Sequence, residues 1–432
     1  MRTPPSGLPA TGRLHDKRRR RRNRSGDDAV LADVLSPRRA NDKLHGAVAA
    51  EPAAPFDVAA ADAHEIDRPV NKPSRLLVFA NPAAGKGEAD AVLGRIAQLL
   101  RIEQIALDVH HAGSAEALSS AAHGARLKGV DGVLVLGGDG TINAVVHGLL
   151  TRPANEVIPP LAIMPLGTGN ALACDLGITD IETSIARLLV GETRPLDVIA
   201  VAAGERRFHA LTIVGWGLAA DVSSTAQSWR LLGQRSYGMA LRLETLRSRP
   251  RYARLDVALA GRGEEMVQGP YTMLLLANTR HTGHGMLVAP RAAIDDGLLD
   301  LVEVLPVGLT KRIQTLRSLW DGSHLDSPAV RWRHVRGVTL SQPSMAALFG
   351  GDGADGAGRS DPEPLPVAAA AGKGAGKGAG KPRQPKPPEP LSLNIDGELV
   401  DLPHDAEVRI TVLPRVLRVF ATKAGAGPSP ES

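Results

Sequence analysis

The 432-residue chain has a single cysteine, Cys174. No disulfide can form within it, a cysteine-built zinc site is excluded, and a reducing compartment is the natural home. Aromatic residues make up only 3%, so the interior must be built from Leu, Val, Ile and Ala. No apolar run reaches the roughly 18 residues that a membrane-crossing helix needs. No apolar segment follows the N-terminal arginines, as a secretory leader would require. Two nucleotide signatures are also missing: GxxxxGK[ST], and GxGxxG at a strand end. A P-loop protein and a standard dinucleotide binder are thereby set aside.

The chain carries a net +5 charge, but the charge is unevenly placed. Residues 1–24 hold nine Lys/Arg against one Asp, so everything after Arg24 is net −3. The basicity belongs to the tract Lys17–Arg24 and not to the body that must carry any chemistry. Residues 1–72 read as a disordered basic and Pro/Ala extension, and residues 350–390 as a disordered Gly/Lys/Pro insertion. A tail is assigned to 423–432. Arginine runs attract phosphates of any kind, so a nucleic-acid or membrane-binding module led by this tract is one reading to weigh.

Residues 73–195 alternate strand and helix patterns. RLLVFANP, Ile105–Val109, GVLVLGGDG and LAIMPLGTGN read as strands. Ala89–Ile102, Ala115–Leu127, Thr141–Leu150 and the stretch from Ala171 read as helices. Such βαβ repeats imply a parallel sheet covered by helices, with ligands at the carboxyl ends of the strands. Residues 196–349 read as a mostly antiparallel β domain, including LDVIAVAA and HALTIVGWG, interrupted by one helix over Trp229–Arg247. After the insertion, 391–422 alternates again and is expected to form strands completing the fold.

Three glycine turns end strands of the first region: Asn81–Lys86, Gly137–Thr141 and Pro165–Asn170. Glycines there admit phosphate oxygens to the backbone amides, through the lack of a Cβ and the freedom to take positive φ. The following helix N-termini favour anions. Thr141, Asn143, Thr168 and Asn170 add neutral donors. Asp139 would repel a phosphate unless Mg²⁺ lay between them.

These residues resemble the diacylglycerol kinase catalytic-domain family of lipid kinases, which includes bacterial lipid kinases and the sphingosine and ceramide kinases. The matching stretches are NPAAGKG (81–87), GGDGTINAVVHGL (137–149), PLGTGNALACDLGI (165–178), GWGLAADV (215–222), APRAAIDDGLLDL (289–301) and NIDGELV (394–400). The resemblance implies an α/β fold: a Rossmann-like N-terminal domain plus a C-terminal β-sandwich domain, with a nucleotide cleft between them. It implies an ATP- and Mg²⁺-dependent lipid kinase acting on a hydroxyl of diacylglycerol or a related lipid, with a place in phospholipid metabolism. The alternatives are a sphingoid-base or ceramide kinase and, further off, an NAD kinase-like enzyme, which shares the GGDGT turn.

The resemblance also implies roles. Asn81, Gly137, Gly138, Asp139, Gly140, Thr141, Asn143, Gly167 and Thr168 would bind ATP. Asp139 would organise the catalytic Mg²⁺, and Glu398 would be the base, although in sphingosine-kinase-like members the turn aspartate is itself a candidate. Asp296, with the backbone of Ala293 and Leu298, matches the family's structural Mg²⁺ site. Asp221 and Arg230 are placed near the lipid. Where sphingosine kinases have a second acid, two residues past Asp221, this chain has Ser223. His281 and His284 are a weak metal signal without a nearby acid, and Cys174 is expected to be small and buried at a helix start. The lipid substrate would be met at a membrane surface, with no nucleic-acid partner. The expected location is cytoplasmic, peripheral on the inner membrane face. The oligomeric state is left open, a dimer included.

Overall fold

The computed structural model describes residues 72–229, 235–261, 263–343 and 390–422. The first region forms β1 (Arg75–Ala80), α1 (Ala89–Ile102), β2 (Ala106–His111), α2 (Ala115–Gly124), β3 (Gly132–Gly137), α3 (Asp139–Leu150), β4 (Leu161–Pro165), α4 (Ala171–Asp175) and α5 (Ile181–Val190). Strands β1–β4 are parallel in the order β2-β1-β3-β4. Both faces of the sheet are covered, and the side chains alternate between them. Leu76, Val78 and Ala80 pack with α1 and α5 residues such as Ile96 and Leu188. Leu77 and Phe79 pack with Leu118 of α2 and Val145 of α3. Double-sided burial is why β1, β3 and β4 read as continuous apolar runs, whereas the edge strand β2 is largely exposed.

The remainder comprises β5 (Thr193–Ala203), β6 (Arg206–Ala210), β7 (Ile213–Gly217), α6 (Leu218–Ser228), α7 (Arg235–Arg247), β8 (Arg251–Leu259), β9 (Glu264–Tyr271), β10 (Met273–Ala277), β11 (His281–Thr282), β12 (Met286–Leu287), β13 (Leu299–Val304), α8 (Leu309–Arg317), β14 (Val330–Ser341), β15 (Leu391–Ile395), β16 (Glu398–Leu402) and β17 (Val408–Phe420). It is mostly antiparallel. β8 buries every second residue from Ala253 to Val257, as a strand with one wet face should.

Several elements differ from the sequence reading. HALTIVGWG is not one strand but β6 and β7, parted at Leu211–Thr212. The helix expected over Trp229–Arg247 is found as α7, and an additional helix, α6, precedes it, beginning directly after Gly217, which turns the chain at φ 72°. Helix α8 was unforeseen, because LTKRIQTLR is too polar to show a clear period. Cys174 is exposed. Helix α4 has a single turn, so Ala171, Leu172 and Ala173 are buried beneath it while Cys174 faces out.

Strand β17 belongs to both halves. Its first part pairs with β14, it runs antiparallel to β5 nearly throughout, and Val419 pairs in parallel with Leu161 of β4. The register shifts between Leu413 and Leu417, where Arg415 takes φ 53°. The buried Asp197 carboxylate holds that bulge by accepting from Arg415 N at 2.6 Å, and it accepts from Gly297 N at 2.7 Å. Burial pushes Asp197 up to about 6.

Candidate active site

The turn after β3 and the turn after β4 touch backbone to backbone. A methyl group at Gly138 would stand 2.9 Å from Gly167 Cα, and one at Gly167 would stand 2.5 Å from Gly138 Cα. One at Gly137 would strike the Thr141 side chain at 2.5 Å. None of these three glycines takes a positive φ; the left-handed residue of the pair is Asn170, at φ 48°. The need for glycine here is therefore close approach and not backbone hand. Asn170 closes its own turn, accepting from Gly167 N at 2.9 Å and donating to Gly167 O at 2.8 Å.

Asp139 is the first residue of α3, and its Oδ2 accepts from Ala171 N at the start of α4, 3.2 Å away. One carboxylate thus links the two turns. Burial, and to a lesser extent the negative Asp396, raise its pKa above the usual carboxylate range, against the backbone donors of α4. Its Oδ1 is buried without a hydrogen-bond partner.

Glu398 reaches the same place from the far end of the chain. Ile395 pairs with Glu398, leaving a two-residue turn in which Asp396 has φ 48° and Gly397 φ 91°. Two positive φ values define a type I′ hairpin, for which Asp-Gly is a preferred sequence. The turn is anchored by the Asp396 carboxylate. Oδ1 accepts from Thr212 N at 3.0 Å, Thr212 Oγ1 at 2.5 Å and Ile213 N at 2.9 Å. Oδ2 accepts from Leu211 N at 2.7 Å and Asn143 Nδ2 at 2.8 Å. The break between β6 and β7 is this carboxylate's socket. Asn394 adds a second anchor, its Oδ1 accepting from Gly397 N at 2.7 Å.

So held, Glu398 Oε1 would lie 3.9 Å from a methyl group at Gly140. An open cleft of about 840 Å³ is lined by Asn81, Gly138, Gly140, Thr141, Gly167, Thr168 and Glu398, with Glu88 at its rim. Residues more than 250 positions apart thus share one wall. Asn143 does not join them: both amide hydrogens are spent, on His209 O and on Asp396. Its amide group holds the hairpin. Sequence reasoning alone misses Asp396, for which the D-G pair is the one available signal.

The other expected residues fall elsewhere. Asp221 is locked in a two-pronged pair with Arg251, at 2.8 and 3.1 Å. Arg230 lies outside the described residues. Asp296 Oδ1 accepts from Leu298 N at 2.9 Å, in a loop that Asp197 also grips through Gly297. Ser223 is buried and bonded to Asn394 Nδ2 at 2.7 Å. His281 does have an acid beside it: Asp175 Oδ1 lies 2.5 Å from its Nδ1, across 106 positions of sequence. Behind the Glu398 hairpin is an apolar pocket, about 40 Å³ as it stands. Ala219, Val222, Leu241, Met273, Leu316 and Asn394 are among its lining.

One stripe of α3 runs Asp139, Asn143, His147. His147 Nδ1 lies 3.0 Å from His209 Nδ1. Burial lowers the pKa of both rings, and His209 falls to about 4, helped by His147. A histidine whose folded pKa is depressed stabilises the fold above its free pKa, near 6.5, and loses that contribution as pH falls toward the folded value. The buried Asp197, raised to about 6, pulls the other way, so the difference between proteins is the clean reading. A His147→Gln/His209→Gln variant is expected to gain about 2 kcal/mol relative to the parent between pH 7 and pH 5. Urea titrations at both pH values check this; a constant difference would refute it.

The residues present suit a magnesium ion. The orphaned Asp139 Oδ1 is an acceptor with nothing to accept from. No cluster of three His, Cys, Asp or Glu exists among the described residues. Magnesium commonly takes one or two protein carboxylates and completes its shell with phosphate oxygens and water. No helix among the described residues is long and apolar enough to cross a membrane.

Residues 75–201 match the model of the diacylglycerol kinase catalytic domain. Residues 212–369 match that of the YegS C-terminal NAD kinase beta sandwich-like domain. The diacylglycerol kinase of Mycobacterium tuberculosis is 28% identical over 289 residues, covering 64% of this chain and 88% of that protein. Sphingosine kinase 1 of Arabidopsis thaliana is 23% identical over 333 residues, covering 66% and 69%. A crystal structure of a diacylglycerol kinase from Bacillus anthracis str. Sterne superposes with a TM-score of 0.52 at 16% identity. It covers 82% of this chain and 99% of that one, and shows the same fold. With a catalytic-domain match and a sandwich match joined end to end over this fold, the chain belongs to the diacylglycerol kinase catalytic-domain family of lipid kinases.

Proposed function

We propose that the protein transfers the γ-phosphoryl group of ATP to a free hydroxyl of a diacylglycerol-type neutral lipid, with Glu398 as general base. The observation that carries this is the placement of Glu398 over Gly140, on one wall of a cleft floored by two glycine turns. Phosphoryl transfer asks mainly for positioning and charge neutralisation. Backbone amides of the Gly137–Thr141 turn and the α3 N-terminus receive phosphate oxygens, and Thr168 and Asn81 flank them. Glu398 takes the lipid hydroxyl proton as that oxygen bonds to the γ-phosphorus, and the bond to the β–γ bridging oxygen breaks to release ADP. Asp139 suits the base role less well, because its carboxylate is turned to the α4 N-terminus. Magnesium held at Asp139 Oδ1 would neutralise phosphate charge. Asp296, with the backbone of Ala293 and Leu298, is the proposed second cation position.

The substrate class follows from what surrounds Asn394. A sphingoid base carries an ammonium group that needs a carboxylate partner. Here the candidate positions hold Ser223, buried against Asn394, and Asp221, committed to Arg251. A neutral hydroxyl lipid asks for neither. The apolar pocket behind the hairpin is where its acyl chain would lie, once α7 yields the room that 40 Å³ lacks. An Ala219→Phe variant should therefore raise KM for a long-chain diacylglycerol at least tenfold with KM for ATP unchanged, since each buried methylene is worth about 0.8 kcal/mol. Equal KM values for the lipid would count against the pocket.

The deciding experiment is labelled phosphate transfer from ATP to a panel of diacylglycerol, monoacylglycerol, phosphatidylglycerol, sphingosine, ceramide and NAD, with and without Mg²⁺. Label in diacylglycerol alone supports the reading. Label in sphingosine would overturn the argument from Ser223, and label in NAD would overturn the lipid assignment.

A further inference from the structure

The apolar pocket is roofed by α7 and α8, through Tyr237 and Leu241 on one side and Leu316 on the other. The far sides of these two helices face water and carry more apolar surface than water-facing sides should. Eleven large hydrophobic residues stand well exposed among the described residues, and four of them lie on these helices or just past their ends. Met239 and Leu246 are seven positions apart, so they share one side of α7, with the exposed Arg242 between them. Leu309 opens α8, and Trp320, 49% exposed, follows its end. Arg312 of α8 donates to Ser248 O at 2.5 Å, which docks this helix against the end of α7.

The charge of the same stretches is one-sided. Residues 235–252 hold five arginines against one glutamate, and residues 309–321 hold three Lys/Arg against one aspartate. They stand out in a chain that is net negative after Arg24. Apolar side chains interleaved with cations, and a tryptophan at the margin, are the makeup of a surface that lies in a lipid headgroup layer. A second copy of the chain fits less well, because pairing this face with itself would oppose like charges.

We propose that the α7–α8 surface is the face that docks on a bilayer containing anionic phospholipid. Met239, Leu246 and Trp320 enter the headgroup region, while Arg242, Lys311 and Arg317 meet lipid phosphates. The inference rests on the lipid-kinase reading above, since it sets the roof of the acyl pocket against the membrane that supplies the lipid.

The test uses the full chain and two readouts. Sedimentation with vesicles of phosphatidylcholine, with and without 30% phosphatidylglycerol, measures docking without turnover. Phosphorylation of dispersed dihexanoylglycerol measures the site without a bilayer. Losing a cation at an anionic surface weakens binding roughly fivefold. Arg242→Glu/Lys311→Glu/Arg317→Glu should then cut binding to the anionic vesicles at least a hundredfold and leave dihexanoylglycerol turnover unchanged. The uncharged variant Trp320→Ser should weaken binding severalfold without altering the salt dependence. Anionic-vesicle binding unchanged in both variants would overturn the proposal. So would a parent dimer that the triple variant turns into a monomer with vesicle binding intact, which would make the face a self-association surface. If the parent protein phosphorylates no glycerolipid yet loses vesicle binding in the triple variant, the docking face stands and the substrate reading falls.

Discussion

Replacing Glu398 with glutamine is expected to lower kcat by roughly 10²–10⁴-fold, the range for loss of a positioned general base. KM for ATP and thermal stability should stay close to the parent values. The change is isosteric, and Glu398 sits exposed at the mouth of the cleft, so little packing is disturbed. What it removes is the acceptor for the hydroxyl proton. The measurement is steady-state kinetics of diacylglycerol phosphorylation beside a melting curve. Activity within threefold of the parent would remove Glu398 from the base role and return Asp139 to it.

Asp396→Ala should be as damaging to activity, but by a different route. The carboxylate satisfies the backbone amides of Leu211, Thr212 and Ile213, the Thr212 hydroxyl and the Asn143 amide. Removing it strands donors that cost about 1–3 kcal/mol each when left unpaired. A stability loss on the order of 4 kcal/mol is expected, because water reaches part of the turn. The hairpin should then lose its fixed place over Gly140, and kcat should fall by at least two orders of magnitude. Denaturant midpoints and kinetics read together separate the two residues: Glu398→Gln loses turnover alone, and Asp396→Ala loses both. An Asp396→Ala protein as stable as its parent would disprove the anchoring role.

The contrast shows what could be read from the sequence and what could not. Strands β1, β3 and β4 were legible because burial on both faces makes them unbroken apolar runs, and α1 was legible because Leu93, Ile96 and Leu100 repeat at helical spacing. The glycine turns were legible as turns at strand ends, and they line one cleft. Their reason was misread, since Gly138 and Gly167 are glycines because two turns collide, a fact that exists only in three dimensions. The break in HALTIVGWG was hidden because its cause lies some 185 positions later, at Asp396. The tie between Asn143 and the hairpin was hidden for the same reason. The amide's chemistry suits a phosphate equally well, and only the partner decides. Helix α6 left little trace, because LAADVSSTAQS mixes Ala, Ser and Thr without a clear apolar stripe.

Strand β17 carries a consequence for how the protein is made. It pairs with β5 along most of its length, and its other edge takes β14 at the start and β4 at the end. It is also made after every strand that it joins. Until it emerges, the first half lacks its bordering strand and the second half lacks its central one, and the Glu398 hairpin has only just appeared. Neither half is a finished product in waiting. Competence therefore waits on one segment, when β17 zips the two halves into a single sheet.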